Sequence, residues 1–334
     1  LSHRRSDRGL SSVSAKPGSS FTIAASRLLL DTGSSGVRRR CALDECRGLV
    51  SLAAMNYRHA FHAGNFADVV KHALLVLALT HLRKKDGAFR VIDSHAGSGR
   101  TDLESPQAAR GGEWRDGIGR LWTQDLGPAA EALLAPYREA LCGFNPDGAL
   151  KTYPGSPLLI RHFLRPQDRM IACELETGAA KALARNLRGD PRIKAIAIDG
   201  WTALSAYIPP RERRGLILID PPYEEPDELS RLAAAIDAAH RKWRTGMILS
   251  WYPIKDLREI AGFIRTLSNF KLGNALRLEL IRDGGSGPAL RGSGLIVVNP
   301  PFTLAADAQI LLPALAKAFW PNDRSSVRID NLAL

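Results

Sequence analysis

The stretch Leu216-Ile-Leu-Ile-Asp220-Pro-Pro-Tyr223 is an uninterrupted apolar run that ends in an acid, two prolines and an aromatic ring. A short run of this kind is the pattern of a strand buried on both faces, as in a parallel sheet. Two successive prolines remove two amide donors and hold the chain extended, so the ladder stops. The Asp220 side chain and the neighbouring carbonyls are then aimed off the end of the sheet.

Around this stretch, strand and helix patterns alternate. Strands are predicted over 170–174, 193–199, 216–220 and 247–251, with helices between them ending near Arg188, Trp243 and Leu267. Such alternation implies βαβ units and a parallel sheet. Two further strands, about 275–281 and 295–298, are joined by a Gly-rich loop too short for a crossover helix and form an antiparallel hairpin. Upstream, Asn65 caps a helix running to about Lys85, with Asp68 in the first turn and Arg83, Lys84 and Lys85 at the end, as the macrodipole favours. A strand over 89–93 then enters the loop Asp93-Ser-His-Ala-Gly-Ser-Gly99. Residues 102 to 150 lack a convincing strand but carry helical stretches near 114–122 and 128–141, which predicts a small helical insertion. Ser156-Pro157 opens the next helix, with Ser156 as N-cap and Pro157 in first position. The sum is seven strands in a mostly parallel α/β sheet. This arrangement resembles the Rossmann-like class I methyltransferase fold.

With 334 residues, 45% of them hydrophobic and 24% charged, the chain can bury a full core, which excludes disorder throughout. No apolar run reaches the roughly 18 residues of a membrane span, so no membrane partner is expected. Four scattered cysteines, Cys41, Cys46, Cys142 and Cys173, form no CxxC pair and point to a reducing, cytoplasmic setting without disulfides. The net charge of +12 favours a polyanionic partner, nucleic acid first. Residues 1–54 carry nine Lys/Arg against four Asp/Glu, are rich in Ser and Gly, and lack apolar periodicity. They read as a disordered extension, translated upstream sequence outside the native fold, since the first methionine is Met55; the domain is expected over 55–334. His59, His62, His72 and His95 lack a tight ligand spacing, so no metal is expected.

In a doubly wound sheet the ligand lies beyond the carboxyl ends of the strands. Asp93, Glu174, Asp199 and Asp220 all end predicted strands, and although each alone could be a turn or cap residue, four together mark a cleft. Gly97 and Gly99 let the backbone approach a ligand closely. A dinucleotide site would need a third glycine and a nearby ribose-binding acid, and both are missing. Glu174 can take both hydroxyls of a ribose. An exocyclic amine on an aromatic base is a poor nucleophile, so acceptors must take its hydrogens and hold the nitrogen in line with a methyl donor. Asp220 and the Pro221 carbonyl suit that task, and Tyr223 offers a face for an extruded base. Leu295-Ile-Val-Val-Asn299-Pro-Pro-Phe302 has the same appearance, but it ends the last hairpin, away from the glycine loop, and reads as structural.

These residues, with Tyr57-Arg-His-Ala-Phe-His-Ala-Gly-Asn65, Tyr153-Pro-Gly-Ser-Pro157 and Ser250-Trp-Tyr-Pro253, closely resemble the bacterial ribosomal RNA large-subunit methyltransferase J family. The resemblance covers about Met55 to the C-terminus. It implies transfer of a methyl group from S-adenosylmethionine to the N6 amine of an adenine in 23S ribosomal RNA, by a monomer without a metal. It further implies that His72, His95, Gly97, Ser156, Glu174, Asp199, Gly200 and Asp220 contact the cofactor, Asp220 also accepting the proton. Tyr57, Arg58 and Lys71 would close over cofactor and base, with Tyr57 joining Asp220, Pro221 and Tyr223 at the reaction. The residue pattern alone leaves open a DNA or other adenine-N6 methyltransferase, and an RNA-binding protein that keeps the fold without catalysis.

Overall fold

A computed structural model describes residues 62–283 and 290–332. The expectations for Tyr57, Arg58, His59 and residues 1–54 lie outside the described residues. Strands β1 (Arg90–Asp93), β4 (Arg169–Glu174), β5 (Ile193–Ala197), β6 (Gly215–Ile219) and β7 (Met247–Ile254) form the parallel part of the main sheet. The order across that sheet is β10-β8-β9-β7-β6-β1-β4-β5, with β8 (Ala275–Arg282), β9 (Gly292–Val298) and β10 (Ser325–Asn331) antiparallel to their neighbours. The β6 run is buried throughout because both of its faces are covered. Leu216 and Leu218 join the core beneath α1 (Phe66–Arg83), α5 (Ser156–Phe163) and α10 (Leu304–Phe319). Ile217 and Ile219 join the opposite core beneath α7 (Gly200–Tyr207), α8 (Glu228–Lys242) and α9 (Leu257–Ser268). Helix α6 (Thr177–Asn186) completes the crossover between β4 and β5.

Three sequence expectations change. The sheet has eight strands instead of seven. The added edge strand β10 is mostly exposed and offers only Val327 and Ile329 as apolar residues; Arg328, at 3.5 Å from the buried Glu279, helps to hold it. Two three-residue strands, β2 (Arg100–Asp102) and β3 (Thr152–Pro154), pair as a separate ribbon and are too short to leave an alternation in the sequence. Ser156 is not the cap of α5. Gly155 occupies that position, and the Ser156 hydroxyl, inside the first turn, donates to Asp93 at 2.7 Å.

Between β2 and β3 the chain forms α2 (Pro106–Gly111), a 3₁₀ turn (Glu113–Arg115), α3 (Ile118–Thr123) and α4 (Pro128–Phe144). Leu121, Leu134, Tyr137 and Leu141 from these helices belong to the same core as α1. The joint is close: the Ile118 amide donates to the Gly64 carbonyl at 2.8 Å. A Cβ on Gly117 would lie 2.2 Å from Gly64 O and 2.5 Å from the Asn65 carbonyl carbon. Gly117→Ala must therefore push the insertion off the start of α1, and is expected to cost about 1–3 kcal/mol of stability. An unchanged melting temperature would contradict this packing.

Candidate active site

The cleft opens at the carboxyl ends of β1, β4 and β6, and its first wall is the start of α1. Asn65 caps that helix by accepting from the Asp68 amide at 2.9 Å, and its amide nitrogen donates to Glu113 of the insertion at 3.0 Å. Glu113 also bonds His62 Nδ1 at 2.9 Å, a contact that raises the His62 pKa. Asp68 accepts from the Gly64 amide at 3.0 Å through Oδ2, which leaves Oδ1 for Lys71, one helical turn on, at 2.7 Å. The Lys71 ammonium reaches across to pair with Asp220 as well. Burial alone would lower the Lys71 pKa, but the Asp220 and Asp68 carboxylates override it and hold the ammonium above its ordinary range. Asp68 is correspondingly held well below the usual carboxylate range: burial opposes this, and the Lys71 charge and hydrogen bond outweigh it.

The second wall is the loop after β1. Gly97 and Gly99 have φ of +62° and +81°, backbone open to glycine at little cost. The Gly97 amide donates to Glu174 at 2.8 Å, and the Glu176 amide donates to the other Glu174 oxygen, also at 2.8 Å. Each oxygen of Glu174 keeps a lone pair for a further donor. His95 bonds Ser94 through Nδ1 at 2.8 Å and meets Trp201 edge-on. Gly200 lies so close that a Cβ there would sit 2.4 Å from His95 Nε2, so the glycine admits the imidazole into the cleft. Asp199 caps α7, its Oδ2 accepting from both the amide and the hydroxyl of Thr202 at 2.8 Å; Oδ1 is the oxygen it can offer a ligand.

Asp93 is fully buried at the cleft floor. Its Oδ2 accepts from Ser156, while Oδ1 has no hydrogen-bond partner among the described residues. Burial pushes its carboxyl up to about 7; the Ser156 bond works against this and the negative charge of Asp220 adds to it. His72 lines the cleft above, its Nδ1 2.8 Å from Tyr153 Oη, and Tyr153 in turn lies 3.0 Å from Tyr137 Oη of α4. All three side chains are buried, so the insertion reaches the cleft through a hydrogen-bonded chain.

Beyond Asp220 the Pro-Pro turn delivers Tyr223 at φ +56°, with its hydroxyl donating to the Trp251 carbonyl and its ring edge-on to Trp251. Trp251 is fixed by Nε1 donating to Ser293 at 3.0 Å, and Lys71 Nζ lies 5.5 Å from its ring centroid. The structure thus gathers Lys71, His72, His95, Gly97, Ser156 and Asp220 around one cleft, with Glu174, Asp199 and Gly200 behind the loop and Tyr223 beside Pro221. Asp68, Tyr137, Tyr153 and Trp251 carry no role in the sequence reading. The Asp68–Lys71 spacing of three, which puts both on one helical face, is the signal that could have found the first. Asn299 is elsewhere. Because β9 runs antiparallel to β7, Asn299 falls at the end of the strands opposite the cleft, where its amide donates to the Arg244 and Gly246 carbonyls at 2.9 and 2.8 Å. Among the described residues no group of three His, Cys, Asp or Glu side chains is placed to hold a metal, and no helix is long and apolar enough to cross a membrane.

Known proteins agree with this architecture. The family described as "Ribosomal RNA large subunit methyltransferase D, RlmJ" matches residues 86–331. The "Ribosomal RNA large subunit methyltransferase J" of Escherichia coli is 38% identical over 80% of this chain and 95% of its own length. The protein of the same name from Haemophilus influenzae is 35% identical over 83% of this chain and 98% of its own. A crystal structure of a Legionella pneumophila protein superposes with a TM-score of 0.74 at 32% identity, covering 81% of this chain and 98% of that one. On the match to residues 86–331 and on these near full-length relatives, the chain belongs to the ribosomal RNA large subunit methyltransferase J family.

Proposed function

We propose that the chain transfers a methyl group from S-adenosylmethionine to the N6 amine of an adenine in 23S ribosomal RNA, adenine 2030 by its family. The observation that carries this reading is Asp220, placed by the Pro-Pro turn at the cleft mouth, with Lys71 paired to it and Tyr223 alongside.

The residues fit the cofactor. Glu174 has lone pairs left for two ribose hydroxyls, the Gly97–Gly99 backbone gives room for close approach, and His72, His95 and Ser156 ring the same space, with Asp199 and Gly200 behind them. When bound, S-adenosylmethionine supplies an electrophilic methyl on a positively charged sulfur. Asp220 and the Pro221 carbonyl then take the two hydrogens of the amine and hold N6 in line with that methyl. The N–C bond would form as the sulfur–methyl bond breaks and S-adenosylhomocysteine leaves, with Asp220 accepting the surplus proton of N6. Tyr223, locked by the Trp251 carbonyl, gives the extruded base a fixed face, and Tyr57 and Arg58 would close over it. Lys71 positions the Asp220 carboxylate. Burial pushes the Asp93 carboxyl up to about 7, so near pH 7 much of it is neutral and adds less negative charge to the cleft floor. Exposed Arg110 and Arg115 on the insertion suit contact with phosphates. A single chain supplies all these groups, so a monomer suffices, and ribosomal RNA as substrate locates the work in the cytoplasm.

Asp220→Asn is expected to lower single-turnover transfer about 10²–10⁴-fold, the usual loss for a catalytic base. It also deprives a buried ammonium of one of two carboxylates, so stability should fall as well, by less than the roughly 3–5 kcal/mol seen when a buried charge loses its whole partner. Wild-type transfer in this variant would move the reaction elsewhere.

Asp93→Asn tests the electrostatics of the floor. The folded carboxyl titrates near 7 and the unfolded one near 4, so the folded chain holds a proton that unfolding releases, and stability falls as pH rises through that window. The variant should show a shallower decline of melting temperature between about pH 4 and pH 7. The same slope in both proteins would contradict the assignment.

A further inference from the structure

The second Pro-Pro turn, Asn299-Pro-Pro-Phe302, has no part in the reaction described, yet its geometry is not that of an idle connection. Phe302 is 86% exposed, while the other exposed large apolar side chains reach 44–53%. Asn299 sits at φ +52°, a backbone conformation that costs a non-glycine residue energy, and its side-chain bonds to the Arg244 and Gly246 carbonyls hold it there. Pro300 and Pro301 stiffen the chain leading into Phe302, so the ring is presented to solvent with little freedom left to lose.

The surroundings are cationic. His81 meets the Phe302 ring edge-on, with centroids 5.9 Å apart. The Lys84 amide donates to the His81 carbonyl at 3.1 Å, and burial and then the charges of Lys84, Arg214 and Lys85 lower the His81 pKa. Arg214 secures the end of α1 by donating to the Leu82 and Gly87 carbonyls at 2.6 Å. Lys84 and Lys85 are exposed and, among the described residues, neither forms an ion pair. Lys84 lies 13 residues beyond Lys71 at the end of the same helix, roughly 20 Å along its axis at 1.5 Å per residue.

We propose that this turn and the end of α1 form a second contact for single-stranded ribosomal RNA, in which one base stacks on Phe302 and Lys84 and Lys85 hold the flanking phosphates. An isolated aromatic ring among unpaired cations is the arrangement that grips a single strand without reading its sequence. A protein partner would call for a contiguous apolar centre with charge at its rim. The proposal rests on the reading of the chain as an RNA methyltransferase.

The test compares Phe302→Ala and the double variant Lys84→Gln/Lys85→Gln with the wild type on two substrates: a long 23S rRNA fragment, and a short hairpin holding only the target adenine and its neighbours. Phe302→Ala is expected to weaken binding of the long fragment about tenfold, the usual loss of one stacked base. The double variant should flatten the salt dependence of that binding by about two phosphate contacts. Transfer to the short hairpin should be unchanged in both. Unchanged affinity for the long fragment overturns the proposal, as does an equal loss on both RNAs. A defect seen only with protein-bearing ribosomal particles, and not with naked RNA, would assign the face to a protein and overturn it too. Failure of the wild type to methylate the hairpin would strike the underlying reading instead.

Discussion

The Lys71 ammonium sits buried between two carboxylates, Asp68 one turn earlier on α1 and Asp220 at the end of β6. A buried ammonium without a partner would carry a desolvation penalty of several kcal/mol, so the three groups must be assembled together or not at all. This constraint fixes the first turn of α1 over the mouth of the sheet. It also explains why the helix begins where it does: Asn65 caps Asp68, Gly64 donates to Asp68, and the insertion clamps both through Glu113 and Ile118.

That arrangement divides the charge within the cleft. Asp93 and Asp220 stand at the ends of adjacent strands, and the negative charge of Asp220 adds to the burial that raises the Asp93 carboxyl. The lysine is paired with Asp220, whereas Asp93 has only the Ser156 hydroxyl. Burial therefore raises Asp93 above the usual carboxylate range. The insertion takes part as well. It adds apolar side chains to the α1 core and, through Tyr137 and Tyr153, reaches His72, so its removal would disturb the cleft wall that His72 lines.

Much of this is legible in the sequence because strong local signals coincide. The β6 run, the glycine loop and the acids ending β1, β4 and β6 are enough to place the cleft. The sequence sets Asn299 apart from Asp220 because its strand ends the last hairpin; in the structure β9 lies beside β7, and its antiparallel direction carries Asn299 to the other end of the strands. The features that escape a sequence reading depend on contacts distant along the chain. Ser156 looks like a helix cap because Ser before Pro commonly is one, yet a buried Asp93 takes its hydroxyl and Gly155 becomes the cap. The edge strand β10 carries only a brief alternation, Val327 and Ile329 on either side of Arg328, too short to announce a strand, and Arg328 pairs with Glu279 of β8. Trp251 and Tyr153 stand in conspicuous motifs without an evident role, because locking an aromatic ring is a property of the folded cleft.

In the proposed reaction the Asp220 turn presents an adenine amine to a methyl donor. This reaction is tested most directly by transfer of a labelled methyl group from S-adenosylmethionine to naked 23S rRNA, assembled large subunits and DNA, followed by digestion and nucleoside analysis. Label is expected as N6-methyladenosine in ribosomal RNA. Label on another atom or nucleoside, or on DNA in preference to ribosomal RNA, would contradict it.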